Sequence, residues 1–152
     1  MFGVSAKPNA DAFATLERVS STSDSIDVLA LMAEADGYEK WDAANKAGVS
    51  TADYLKMKTA TKGMTKIADK FAAIVNTKGI SDADKLTMMK LNTTEKTPEK
   101  IQAAYDAGFS VEKIAAFQAL KGAHSKKSEQ QDHYREYGFS YNEWKKLYNF
   151  FS

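Results

Sequence analysis

Apolar residues recur along this chain at helical spacing, in short stripes separated by breaks. Residues three or four positions apart share one face of an α-helix, and helices this short must pack on neighbours to be stable. The pattern therefore predicts an all-α fold of about seven to nine short helices, as stacked helical hairpins or a compact bundle. The stripes are Ile67, Phe71, Ile74 and Val75; Leu86, Met88 and Met89; Ile101, Ala104 and Tyr105; and Tyr141, Trp144, Leu147, Tyr148 and Phe151.

A recurring turn signal separates the stripes. In four places a glycine is followed by an apolar residue and a serine, and these glycines lie 29 to 31 residues apart. Glycine tolerates the left-handed conformation that ends a helix, and serine accepts a hydrogen bond from a free N–H of the next helix. Together with signals midway between the glycines, this predicts breaks near residues 48, 63, 79, 94, 108, 122 and 138. The predicted turn and cap residues are Gly48, Ser50, Gly63, Thr65, Gly79, Ser81, Gly108, Ser110, Gly122, Gly138 and Ser140, with Thr97 as a further cap before Pro98.

Charge is distributed unevenly along the chain. Residues 1–37 contain two basic and six acidic residues, although the whole chain has a net charge of +1. We therefore expect an acidic N-terminal segment over residues 1–37, with one or two helices at 11–19 and 24–35. A helical-repeat domain over residues 38–152 is expected to follow and to form one globular unit with it. The polar stretch from Lys121 to Glu129 is expected to be a loop or a frayed helix start.

Composition excludes several kinds of chemistry. The chain has no cysteine, which excludes disulfides, thiolate metal ligands and a cysteine nucleophile. It contains no Gly-x-Ser-x-Gly elbow and no glycine-rich phosphate loop, and the serines after glycine are explained as helix caps. We therefore expect no enzymatic activity, no catalytic residues and no cofactor. A small enzyme with an unrecognised site is kept as a further alternative.

One predicted helix face carries candidate metal ligands. Glu129, His133 and Glu136 share this face, and His124 is the other histidine of the chain. A metal site would need a similar set of ligands on a facing helix, which the sequence does not offer. A solvated helix face is the better interpretation, so we predict no metal site.

Residues 108–122 resemble the turn and second helix of a helix–turn–helix motif. A recognition helix needs exposed base-reading groups near its start and basic flanks for phosphates. The same glycine motif recurs, however, and other copies place Asp or Glu there. Only two of the 21 basic residues are arginine. Nucleic-acid binding is therefore the alternative function, with Lys113, Gln118, Lys121, Lys126 and Lys127 as its candidate contacts.

The last helix and its lead-in are rich in aromatic residues, with eight in 18 residues. A short helix in a small domain cannot bury aromatic rings on every side, so we expect some to be exposed, as Tyr134, Tyr137 or Phe150. Exposed tyrosine and tryptophan are typical anchors of protein interfaces. A helix that closes the core is the alternative. The candidate partner-binding residues are Tyr134, Tyr137, Phe139, Tyr141, Tyr148 and Phe150.

One segment resembles a known kind of repeat. Its matching residues are Ala47, Gly48, Val49, Ser50, Tyr54, Leu55, Lys62 and Gly63, with looser matches from Lys66 to Lys70. This pattern is similar to short-helix repeats in large proteins of bacteriophages and integrated elements of Firmicutes, and the resemblance covers about two-thirds of the chain. It implies a helical appendage without catalytic residues. We therefore expect a phage-type protein that acts by protein–protein contacts, either as a virion component or as a host-directed accessory or inhibitor protein.

Two features of the sequence bear on where the protein is located. The longest apolar run, residues 28–33, is far too short to span a bilayer. The first 19 residues lack the basic start and apolar core of a signal peptide. We expect a protein of the host-cell cytoplasm or of the virion, with a phage or host protein as partner and no membrane contact.

Overall fold

The computed structural model describes residues 37–152. Within this range the chain has eight α-helices, one 3₁₀ helix and no strand, which confirms the predicted all-α class. The acidic segment over 1–37 and its expected helices lie outside the described residues, except for Gly37. The elements are α1 (Gly37–Lys46), α2 (Thr51–Ala60), α3 (Ile67–Val75), α4 (Asp82–Leu91), α5 (Thr97–Asp106), α6 (Val111–Ala123), α7 (Lys127–His133), the 3₁₀ helix (Tyr134–Tyr137) and α8 (Tyr141–Phe150).

The chain divides into two compact units, residues 1–56 and residues 57–152, so the boundary falls inside α2. In the described part of the first unit, the side chains of Trp41 and Thr51 are buried. The Trp41 Nε1–H donates a hydrogen bond to Thr51 Oγ1 at 3.0 Å. This bond joins α1 to the first residue of α2 and satisfies the polar atom of a buried indole.

The central element of the second unit is α6, which packs against α3, α4, α5, α7, the 3₁₀ helix and α8. Successive residues of an α-helix are rotated by about 100°, so the buried positions of α6 cover more than half of its circumference. This helix is therefore in contact with its neighbours over more than half of its surface, while residues such as Glu112 and Lys121 are exposed. Its buried residues are Val111, Ile114, Ala115, Phe117 and Leu120.

Turns with a left-handed residue separate most of the helices. The glycines with positive φ are Gly48, Gly63, Gly79, Gly108 and Gly138. Four serines accept a hydrogen bond from the backbone N–H three residues later: Ser50, Ser81, Ser110 and Ser140. These bonds satisfy N–H groups that have no partner within the helix, so the helix starts are fixed locally by the sequence.

The break predicted near residue 122 is present, because α6 ends at Ala123 and α7 begins at Lys127, but the predicted role of Gly122 is wrong: it lies within α6 and is not among the left-handed glycines. A Cβ added to Gly122 would meet the Cβ of Ala68, on α3, at 3.7 Å. The glycine thus lies where two helices pack closely. The polar stretch predicted as a loop is also shorter than expected, because α7 begins at Lys127.

Two predicted threonine caps are wrong as well. The residue that precedes α3 is Lys66, not Thr65, and the residue that precedes α5 is Lys96, because Thr97 is already helical. Neither lysine forms a side-chain capping bond. Near the break at 94, the left-handed position is occupied by Glu95, with φ 61°, although glycine is the residue that usually supplies it.

Candidate partner-binding surface

The last helix starts at a turn that its own sequence specifies. Gly138 has φ 83°, and Phe139 is buried. The Ser140 N–H donates to Glu143 Oε1 at 2.9 Å, while Ser140 Oγ accepts from the Glu143 N–H at 3.2 Å. This reciprocal pair is a capping box. The hydrogen bond from the Ser140 backbone, helped by the nearby Lys113 ammonium, lowers the pKa of Glu143.

Trp144 anchors α8 to the rest of the second unit. Its side chain is buried, and its Nε1–H donates to Oε1 of the buried Gln130 at 3.2 Å. Gln130 belongs to α7, so this bond ties α7 to α8. Because an unpaired polar group in the interior is costly, the two side chains depend on each other.

Three tyrosine rings surround Trp144. The ring centres of Tyr134, Tyr141 and Tyr148 lie 5.7, 5.8 and 5.7 Å from that of Trp144. Tyr134 is buried and stacks on Trp144, whereas Tyr141 is 44% exposed and Tyr148 is half-buried. The Arg135 guanidinium lies over the Tyr134 ring, with Cζ 5.8 Å from the ring centre. A fixed aromatic cluster therefore reaches from the interior to the surface.

Basic side chains lie close to the exposed part of this cluster. Lys127 Nζ lies over the Tyr148 ring, 5.0 Å from its centre. Lys145 Nζ lies 5.9 Å from the centre of the Tyr141 ring. A cation within about 6 Å of an aromatic ring is attracted by the negative face of the ring. We call the resulting patch the cationic aromatic surface: Lys127, Arg135, Tyr141, Lys145 and Tyr148.

The structure exposes the predicted partner-binding residues to different degrees: it exposes Tyr141, half-buries Tyr137, Tyr148 and Phe150, and buries Tyr134 and Phe139. The prediction is wrong for Tyr134, because it stacks on Trp144 inside the fold. It is wrong for Phe139 too, because this ring packs edge-on against Phe117 of α6, with 6.4 Å between centres. Tyr141, at 44%, is thus the only member of the predicted set that is exposed rather than half-buried or buried.

Two of the predicted nucleic-acid contacts, Lys113 and Gln118, lie on α6 and are half-buried. Lys113 Nζ donates to the carbonyl oxygen of Gly138 at 2.6 Å and lies 3.5 Å from Glu143 Oε2. The side-chain nitrogen of Gln118 is buried and has no hydrogen-bond partner among the described residues. The partial burial of both residues and the contacts of Lys113 make them less available to a ligand. That Lys113 and Gln118 contact nucleic acid stays a prediction.

The three remaining candidates for nucleic-acid contact are exposed: Lys121, Lys126 and Lys127. Partial burial lowers the pKa of Lys121, and the positive charge of Lys100 lowers it further. Lys127 is held over the Tyr148 ring. Lys121 and Lys127, which are close in the sequence, thus have different neighbours in the structure.

The two histidines of the chain lie side by side. The rings of His124 and His133 stack with 3.9 Å between centres and 6° between planes. His133 Nδ1 also contacts the carboxylate of Glu136. Parallel rings direct their nitrogen lone pairs side by side, so they do not converge on one ion as tetrahedral ligands do. Within residues 37–152 no group of three acidic or histidine side chains is arranged to hold a metal.

Arg135 and Lys145 belong to this surface, although neither was predicted to. The signal for Lys145 was present, because it follows Tyr141 by four positions and such residues are neighbours on a helix. Arg135 carries no such signal. Its position depends on the 3₁₀ helix, whose packing is not encoded in a local pattern.

The fold and this surface together define an all-α protein whose last helix presents tyrosine and basic side chains. None of the helices in residues 37–152 is long and apolar enough to cross a membrane. Comparison with protein-family models, with curated proteins and with solved structures returned no match.

Proposed function

We propose that this chain is a non-enzymatic, phage-type protein that acts through protein contacts made by the cationic aromatic surface. It serves as a virion component or as a host-directed accessory protein, such as an inhibitor of bacterial defence. The proposal assigns no catalytic residue, metal or cofactor to the chain.

The exposed Tyr141 ring is the observation that supports this function most strongly. It is 44% exposed, and it packs against the buried Trp144. An aromatic ring that is already fixed loses little conformational freedom on binding, which favours it as an interface anchor. The capping box at Ser140 adds to this rigidity because it fixes the start of α8.

Nucleic-acid binding through α6 is a weaker alternative. A recognition helix must present a broad face to the major groove. In this chain the buried positions of α6 include Val111 and Ile114 at its start, where a recognition helix reads the bases. No exposed arginine or asparagine occupies that start.

The test is partner capture with the tagged full chain from host cells, before and after phage infection. Tyr141→Ser should reduce recovery of a specific protein about tenfold or more, because anchor residues carry most of the binding energy. The matched control is Ile67→Ser, which also removes a large apolar side chain, 43% exposed, from a helix of the second unit. Both variants should keep the helical circular dichroism spectrum. Equal recovery with the two variants would show that Tyr141 is not the anchor.

A further inference from the structure

We propose that the partner of the cationic aromatic surface presents an acidic protein segment, rich in aspartate and glutamate. This inference rests on the proposed function and adds the chemistry of the partner. Three basic side chains are grouped around one tyrosine cluster: Lys127, Arg135 and Lys145.

The positive charge of these side chains is not neutralised within the part of the chain that the structure describes. No carboxylate of residues 37–152 lies within 4.0 Å of any of the three cationic groups. Two nearby acids are engaged elsewhere, because Glu136 contacts His133 and Glu143 pairs with Lys113. Glu129 and Asp132 on α7 form no ion pair with the three cations. An acidic ligand would therefore meet cations that do not first have to leave an ion pair.

The aromatic rings also attract the cations, although only weakly at an exposed site. Each lies over a tyrosine ring, and each ring packs against Trp144. Attraction to the rings limits the freedom of the lysine and arginine side chains before a ligand arrives. The guanidinium of Arg135 can bind one carboxylate through two parallel hydrogen bonds, and the tyrosine hydroxyls can donate to others. Carboxylates spaced along an extended segment fit this set of donors.

A single-stranded nucleic acid fits the same surface less well. Such ligands gain much of their affinity by stacking bases on free aromatic faces. Here the Tyr141 and Tyr148 rings each carry a lysine ammonium and also contact Trp144. The surface presents positive charges and hydroxyl groups. These can bind carboxylates by ion pairs and hydrogen bonds, and no aromatic stacking is needed.

The test uses fluorescein-labelled decaglutamate and the full chain at low ionic strength, followed by fluorescence anisotropy. The variant Lys127→Gln/Lys145→Gln removes two charges from the surface but keeps most of each side chain. Its control, Lys62→Gln/Lys78→Gln, removes two charges from exposed positions outside it. We expect the first variant to bind at least about tenfold more weakly and the control to bind like the parent chain. Binding should also weaken as salt is added.

Several results would overturn the inference. They are no binding of decaglutamate, an equal loss in the two double variants, and tighter binding of labelled single-stranded oligothymidylate than of decaglutamate. Failure here is distinguishable from failure of the proposed function. If decaglutamate does not bind but Tyr141→Ser still abolishes partner capture, the surface is an interface for a partner that is not acidic. If decaglutamate binds as expected but capture is insensitive to Tyr141→Ser, the surface recognises acidic segments but Tyr141 is not the anchor.

Discussion

Alanine substitutions at Gly122 and Gly108 should change stability in opposite directions. Gly122 is helical, and an alanine Cβ there would meet Ala68 Cβ at 3.7 Å, an ordinary van der Waals contact. Gly122→Ala should therefore stabilise the second unit by at most about 0.5–1 kcal/mol, because alanine loses less backbone entropy in a helix and Gly122 lies in the last turn of α6. Gly108 has φ +101° and open space around the added Cβ. Gly108→Ala should destabilise by about 1–2 kcal/mol through backbone strain alone, without a clash.

The measurement is the free energy of unfolding of the full chain in urea. Hydrogen exchange of the α6 amides then reports the stability of the second unit itself. In a unit of this size, 1 kcal/mol corresponds to roughly 4–8 °C in Tm, so both effects are measurable by calorimetry as well. Destabilisation by Gly122→Ala would argue against the helical conformation of this residue and favour its predicted role as a turn glycine. A neutral Gly108→Ala would refute the claim that a left-handed residue ends α5.

Two further changes test the C-terminal part of the second unit. Trp144→Phe should lower the free energy of unfolding by about 1–3 kcal/mol because it leaves Gln130 Oε1 buried without its donor. Adding Gln130→Leu should recover part of that loss. Strictly additive unfolding energies in this double-mutant cycle would contradict the hydrogen bond. The lowered pKa of Glu143 means that its charged form stabilises the folded state, so this stability is present above the ordinary pKa of glutamate and is lost as the pH falls through the lowered value. Urea unfolding should therefore show a stability difference between the parent chain and Glu143→Gln at neutral pH that shrinks in acid, whereas a constant difference would argue against the capping box.

The helices and their starts could largely be predicted from the sequence because the signals are local. Ser110 and Ser140 each accept a hydrogen bond from the backbone N–H three residues later, so the cap is determined within one helical turn. Gly122 shows the limit of this reasoning. A glycine inside a helix and a glycine that ends one look alike in sequence, and only the backbone conformation distinguishes them: Gly108 has a positive φ and Gly122 does not.

The candidate surface could be predicted only in part, for the same physical reason. Helical periodicity correctly placed Trp144 and Leu147 on the buried face of α8. Tyr134 and Phe139 lie outside that helix, and their burial depends on how the 3₁₀ helix packs on α6. Such packing is a property of the folded unit, so a local pattern did not distinguish these rings from the exposed Tyr141.

The most direct test of the account is photo-crosslinking from position 141 in producing cells, with benzoylphenylalanine in place of Tyr141. The control places the same residue at position 67, where Ile67 is equally exposed. The account predicts a covalent adduct from position 141 to one protein, through a peptide rich in aspartate and glutamate, and none to that protein from position 67. An adduct from position 67 but not from 141, or one through a peptide without acidic residues, would contradict it.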